Sequence, residues 1–560
     1  MLRNRRYTRR DLLHRAVALG GGAALATFLA ACGGTTTPTP AVAAAVGAPA
    51  TPTSAVAGTR AVTPAATPSG VANGGKTIPE LRIAVAALPD GMDPLEASSN
   101  VFNRVNYSCF DYLMRIDYAN GGKLGPMLAT TWQRTDDRTL EVTLRQGVKF
   151  QDGAPFTADD VVYSFNRIIT NKDAKLAQAN PSYFPFASVE KLDDYRVRIV
   201  GTGVDPILER RLATPGAQIL HAKYHQQVGA AEYRLKPLAT GPYRLTEFVI
   251  GERMVFEAHR DYWGGAPAAG KVTFKIIPEV ATRSAAVSNG EVELITNVPP
   301  DQIAPLQGRK NLAVKSKTLT NVHMLYYNQK TVPFDKPAIR QAANYAIDRQ
   351  ALIDGLWLGN AEAMRGLQFP GEDLYNANRP PTAYDPERAK ALLKEGGYAG
   401  EQIMYIAASP NYYTNEREVG EAIIGMWQQV GINGKLVLTE LAQKAKAYAT
   451  AHVSTISATS FVGDPEGYVW QPLGPDGGQQ KNGYWNPVGP FNQLGQEVRS
   501  TLDQQKRYAS FQQMLDIFEQ EAPGTVLYAP KETYAMQTNI GWEPYSYYYL
   551  DLRLYNFTVR

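Results

Sequence analysis

From residue 77 to the C-terminus, strand-type and helix-type signals alternate without a break, and no short internal repeat interrupts them. Leu81-Arg82-Ile83-Ala84-Val85 reads as a strand, and Thr139–Leu144 alternates polar and apolar residues at period two, the mark of a half-buried strand. Thr157 is placed to cap a helix whose first turn carries Asp159 and Asp160, where the helix end is positive; Val161, Phe165 and Ile168 continue one face. Tyr243–Phe256 reads as a hairpin turning near Gly251. Pro386 opens a helix that closes at Gly396-Gly397. A late helix from about Leu502 to Glu521 carries the apolar stripe Tyr508, Phe511, Leu515, Phe518. Such alternation specifies an α/β fold and argues against a solenoid. At 560 residues and 44% hydrophobic composition, the chain has material for three to four domain-sized units.

The first 76 residues are of another kind. Arg3, Arg5, Arg6, Arg9 and Arg10 precede an apolar, Gly-rich stretch from Ala16 to Ala31, which is short for a membrane-spanning helix. It ends Leu29-Ala30-Ala31-Cys32-Gly33, which resembles the lipobox of bacterial lipoproteins. The resemblance implies cleavage before Cys32, lipidation of its thiol and a stable membrane anchor. Thr8-Arg9-Arg10-Asp11-Leu12-Leu13 partly resembles a twin-arginine export signal. Residues 33–76 hold six Pro, no aromatic residue and, before Lys76, the single charge Arg60. This composition cannot bury a core and reads as a disordered tether. Gly70–Thr77 matches the pattern G-x-x-x-x-G-K-[ST]. Linker precedes it and Ile78-Pro79 follows it, so it lacks the strand and helix that a phosphate loop requires.

Charge and cysteine content narrow the function. Outside residues 1–32 the balance is 51 basic to 52 acidic residues, which argues against general nucleic-acid binding. Two cysteines, Cys32 and Cys109, exclude a disulfide framework and any multi-thiolate zinc site. His221 and His225 have the spacing of a ligand pair, but Ala222 stands where a zinc protease carries Glu, so they read as solvated helix residues. No G-x-S-x-G elbow occurs. Cys109, between Ser108 and Phe110, reads as a buried small residue. Asp136-Asp137 and Asp159-Asp160 fall at a turn and a helix start. No enzyme, cofactor or metal site is expected, and a monomer is.

A series of blocks carries a wider resemblance. Gly125-Pro126-Met127-Leu128-Ala129 and Trp132 lead into TLEVTLRQGVKFQDGAPFTADDVVYSFN from Thr139. In order follow Thr240-Gly241-Pro242-Tyr243, Asp261-Tyr262-Trp263, Asn289–Glu293, Tyr327-Asn328, Pro333-Phe334, Arg340-Gln341-Ala342, Ala346–Arg349, Asp464-Pro465 and Asn486-Pro487. Together they resemble the family 5 extracytoplasmic solute-binding proteins, the oligopeptide and dipeptide receptors of ABC importers, over about residues 78–535. Read from the residues, the blocks are mostly structural. Gly147 and Gly153 bracket turns, Gly241-Pro242 sets a turn before a strand, and Asp348-Arg349 forms a surface pair on a helix running from about Lys336.

The resemblance implies a two-lobed periplasmic-binding-protein fold, class II-like with mixed sheets, and an extra domain in the N-terminal lobe. Domain I is expected from 77–124, 236–322 and 529–560, domain II from 125–235 and domain III from 323–528, with hinge crossings near 322 and 528. It implies a lipid-anchored receptor on the extracytoplasmic face or in the periplasm. The receptor closes on a peptide or other small solute and delivers it to a permease with separate ATPase subunits. In peptide-binding relatives an Asp of a domain III loop pairs with the ligand's α-ammonium; Asp464 is the counterpart here, or else it caps the turn before Pro465. A Trp of that loop is replaced by Phe461, and the loop is shorter. Tyr468 and Trp470 flank it. The Arg with which dipeptide-specific relatives grip the ligand carboxylate is absent from Ser409-Pro410-Asn411-Tyr412-Tyr413, which leaves strict dipeptide specificity unsupported. Asn411, Tyr412 and Tyr107 are further candidates for the cleft wall. An oligosaccharide or metal-chelate receptor on the same fold, and a surface hydrolase, are the alternatives.

Overall fold

The strand Gly524–Gln537 organises the body of the molecule, because it is long enough to serve two sheets. In a computed structural model, which describes residues 76–560 except 97–98, 172–182 and 409–412, its first half pairs antiparallel with Asn321–Tyr327. Its second half pairs with Leu312–Thr318, from Lys531 opposite Thr318 to Gln537 opposite Leu312. The two partner strands are consecutive in sequence. A two-stranded ribbon therefore runs from one half of the body into the other.

At its middle the pairing is irregular. Ala529 and Pro530 oppose the short strand Ala361–Glu362, and the Leu319 amide donates to the Pro530 carbonyl at 3.1 Å. Pro530 has no amide to give the ladder, which fits a point where partners change.

On one side of the ribbon, Ile78–Val85 lies parallel to Ala269–Ile276, which pairs with Arg253–Ala258, and that strand with Tyr243–Val249. The hairpin expected from Tyr243 to Phe256 is present, with Gly251 at φ +77°. On the other side, Val453–Thr459 pairs antiparallel with Asn321–Tyr327 and parallel with Ile403–Ala408, which leads to Gly434–Thr439. Helices Pro386–Glu395, Glu416–Gln429 and Gln504–Glu521 belong to this half.

A separate four-stranded antiparallel sheet is ordered Ala129–Asp136, Thr139–Leu144, Arg196–Gly201, Phe186–Asp193. Leu140, Val142 and Leu144 face its core, and Glu141 meets Arg198 across strands at 2.7 Å. Helix Ala158–Ile169 packs on this sheet through Val161, Phe165 and Ile168. The Thr157 amide donates to Asp160 at 3.0 Å, one arm of a capping box.

The sequence blocks hold the frame. The Gln151 amide donates to the carbonyls of Cys109, Gly241 and Tyr243. A Cβ on Gly241 would lie 2.3 Å from the Cys109 carbonyl oxygen, so glycine is required there by close approach. Asp111 collects Thr240, Tyr262, Trp263 and Arg553, all between 2.6 and 3.1 Å. Arg340 donates to the carbonyls of Phe334, Glu521 and Ala522.

Two expectations are corrected. The helix from Lys336 ends at Tyr345, and Asp348 caps a second one, Arg349–Gly355, by accepting from the Ala351 amide. Arg349 is buried and donates to the Val526 carbonyl at 2.7 Å, so Asp348-Arg349 is no surface pair. His221 and His225 are also buried. His221 stacks on Phe150 at 4.3 Å, and His225 shares a hydrogen bond with the Tyr163 hydroxyl at 2.7 Å. Cys109 is buried, and desolvation pushes its thiol up to about 12, well outside the nucleophilic range.

Candidate functional site

The loop Ser460–Glu466 leaves the end of the strand Val453–Thr459 where the ribbon changes partners. The Ser460 amide donates to the Thr320 carbonyl at 2.9 Å, and the Thr320 amide to the Ser546 carbonyl at 2.7 Å. Two cavities open on either side of this junction. One, of about 480 Å³, is lined by Tyr118, Arg210, Lys317, Gln368, Glu372 and Ser460 among others. The second, of about 370 Å³, is lined by Ser99, Tyr183, Tyr413, Ser457, Phe461 and Tyr468 among others. Each draws its walls from both halves of the body, the first also from Arg210 of the short helix Leu208–Arg211 and the second from Tyr183, just before strand Phe186–Asp193. Both volumes lie in the range of small-molecule sites.

Aromatic side chains bring the loop against the core of the four-stranded sheet. Phe461 meets Tyr183 and Tyr547 edge-on, each at 6.3 Å between ring centres. Tyr118, Tyr545, Tyr547 and Tyr549 continue the cluster. Tyr107 is buried beneath it, stacked on Tyr549 at 3.9 Å with the Arg553 guanidinium over its ring. Tyr107 lines neither cavity. Trp470 belongs to the core. The Arg499 guanidinium sits 5.4 Å from its ring centre, and a Cβ on Gly495 would overlap the ring. Asn411 and Tyr412 lie outside the described residues, as does Cys32.

Asp464 is buried and committed. One carboxylate oxygen accepts from Arg507 at 2.7 Å and the other from the Glu466 amide at 3.0 Å. This is the capping arrangement that the sequence left open as the alternative. Glu466 is buried between Arg211 at 2.6 Å and Arg499 at 3.1 Å. Arg211 is held in turn by Asp205 at 2.5 Å. Arg211 ends the short helix Leu208–Arg211, whose Leu208 joins the core of the four-stranded sheet, and Glu466 comes from the half carrying Val453–Thr459, so a buried ion pair joins the two.

Glu372 is the acid that the sequence reading missed. It lies in an irregular stretch after Phe369-Pro370-Gly371, where no periodicity marks it. One oxygen accepts from the Tyr468 hydroxyl at 2.7 Å and the other from the Ser460 hydroxyl. Burial, reinforced by the nearby Asp464 charge, lifts its carboxyl from the ordinary range to about 7; the two hydroxyls and Arg210 oppose the rise. Tyr468, predicted from sequence, therefore spans the partition between the cavities, its ring toward one and its hydroxyl toward the acid of the other.

The family model for bacterial extracellular solute-binding proteins, family 5, matches residues 123–480. The chain belongs to this family. Among relatives of this binding protein, the di/tripeptide-binding protein 1 of Pseudomonas aeruginosa is 29% identical over 468 residues, spanning 78% of this chain and 86% of that one. The glutathione-binding protein GsiB of Salmonella paratyphi A is 30% identical over 365 residues, 65% of this chain and 70% of that one. The crystal structure of a dipeptide-binding protein from Pseudoalteromonas sp. SM9913 in complex with Met-Leu superposes with a TM-score of 0.75 at 22% identity. The match covers 86% of this chain and all of the other. The fold is thus the two-lobed one of periplasmic binding proteins, and the relatives are solute-binding proteins rather than enzymes. Among the described residues no helix is long and apolar enough to cross a membrane.

Proposed function

We propose that this chain is the peptide receptor of an ABC importer, anchored outside the cell membrane through a lipid on Cys32. Ligand enters between the lobes while they are apart and is enclosed when they rotate together. The closed form docks on a permease, and separate subunits hydrolyse ATP. The observation that carries this reading is the pair of cavities at the ribbon crossing, walled by both halves of a family 5 fold whose relatives bind di- and tripeptides and glutathione. The expected domain division, with crossings near 322 and 528, is supported by the change of strand partners between 318 and 321 and at 529–530. A ligand touching both lobes favours closure by its differential affinity for the closed state.

Native mass spectrometry of the purified protein tests the proposal. A bound mass that disappears on denaturation and fragments as a short peptide is the expected result. A hexose-spaced adduct or a metal chelate would move the assignment to another solute. Chemical turnover of a bound peptide without a permease would replace the receptor by a hydrolase.

A further inference from the structure

The larger cavity contains two carboxylates in very different situations. Glu362 is neutralised by Lys531 at 3.3 Å and accepts from Thr318 at 2.6 Å. Glu372 forms no ion pair among the described residues; its partners are the hydroxyls of Ser460 and Tyr468. Two hydroxyl donors leave a carboxylate about two further acceptor positions. Arg210, whose charge acts on it, makes its contacts elsewhere, to Asp373 at 3.5 Å and to the Gly122 carbonyl at 3.4 Å. A desolvated carboxylate without a counter-charge is costly, and a cationic ligand group removes that cost. The acid thus stands in a cavity of about 480 Å³, on the wall shared with the second cavity, held in place by two hydroxyls and without an ion-pair partner among the described residues.

We propose that Glu372, rather than Asp464, is the counter-charge for the ligand's primary ammonium group, with Arg210 and Lys317 of the same cavity available to its carboxylate end. This rests on the peptide-receptor reading and deepens it. Asp464 cannot fill the role while Arg507 and the Glu466 amide occupy both its oxygens. Hydroxyls are suited to hold Glu372 because they orient the carboxylate without neutralising it, which leaves the charge for the ligand.

The geometry has a titration consequence. The groups that act most on Glu372 are Tyr468, Asp464 and Arg210, with Ser460 as a neutral donor; Lys317, Glu362 and Arg365 line the same cavity, and Asp373 follows in the chain. With its carboxyl lifted to about 7, the empty site is largely protonated at pH 6, and an ammonium captures the ionised form. Binding at pH 6 should then release about 0.9 proton per ligand. Affinity should rise about 15-fold from pH 5.5 to pH 7, following the ionised fraction. The ligand's own α-amino group stays protonated over this range.

The test starts from a pancreatic casein digest. The peptide that the wild-type protein retains is synthesised with a free and with an acetylated N-terminus and titrated calorimetrically at pH 5.5 and 7. Wild type should bind the free form at least tenfold more tightly than the acetylated one, with the stated pH dependence. Glu372→Gln, which keeps the shape and turns one acceptor oxygen into an NH2 donor towards a hydroxyl, should lose both the pH dependence and the discrimination. If that variant does not fold, proton release measured on the wild type in buffers of different ionisation enthalpy decides alone. Binding of the free peptide with no pH dependence, or with unchanged affinity in Glu372→Gln, overturns the role of Glu372 and leaves the receptor reading intact. Retention of no peptide at all overturns the receptor reading, and this inference with it.

Discussion

The loop Ser460–Glu466 has two sides, and they treat charge in opposite ways. On one, Asp464 and Glu466 are each paired with arginines: Arg507 for the first, Arg211 and Arg499 for the second. On the other, Glu372 meets two hydroxyls and no cation among the described residues. Asp464 and Glu466 are fully buried and Glu372 is half-buried, so exposure separates them only in part. The distinction is whether the fold itself supplies the counter-charge. Where it does, the acid is part of the frame; where it does not, the charge is left for something that arrives. An acid's presence in a site loop is therefore weaker evidence of ligand contact than the absence of its partner.

The sharpest way to break this comparison is Asp464→Ala. It leaves the Arg507 guanidinium buried with the Val498 carbonyl as its remaining partner, and should cost about 3–5 kcal/mol in urea unfolding. Loss of peptide affinity with unchanged stability would instead return Asp464 to the ligand site. Next in size is the pH dependence of Glu372. Its folded-state value is raised, so its stabilising contribution is complete below pH 4.5 and is lost as pH rises towards 7. The loss amounts to about 3 kcal/mol. Glu372→Gln should therefore be the more stable protein at pH 8 by about that amount, and the difference should vanish near pH 4. Stability curves at both pH values check it. A difference that grows in acid would mean that Glu372 has a hidden cation. The smallest effect is that of Arg499→Ala. Glu466 keeps Arg211, and Arg499 is partly open to solvent, so a loss within about 1 kcal/mol is expected by chemical denaturation.

The frame was legible because its signals are local or strongly patterned. The cap at Thr157, the turn at Gly251 and the Pro386-to-Gly396 helix each declare themselves within a dozen residues. Asp348-Arg349 was misread because an Asp that ends one helical pattern can also open the next. The histidines were misread because Phe150 and Tyr163, which bury them, lie some 60 to 70 residues upstream. Asp464 stood out in the sequence as an acid in the expected loop, yet its commitment to Arg507 spans 43 residues and carries no local mark. Glu372 is the extreme case. Its two partners lie 88 and 96 residues away, and the stretch around it has no period. A Glu-Asp pair after Phe-Pro-Gly gives no sign, until the chain is folded, that its first acid lines a cavity. Sequence thus reports the residues that build an element, and it is silent on the charges that elements bring together.

The ribbon formed by residues 312–327 and 524–537 also bears on how the molecule is made. Neither half can finish its sheet until Gly524–Gln537 is available, and this strand lies within the last 40 residues of the chain. Its partners precede it by some 200 residues, a separation that makes pairing slow. During synthesis both lobes therefore wait, with the edges of Asn321–Tyr327 and Leu312–Thr318 unpaired on the side that the late strand will cover. A chain truncated before residue 524 should yield two unfinished sheets rather than one finished lobe. The crossing that joins the two halves also makes their completion a single event.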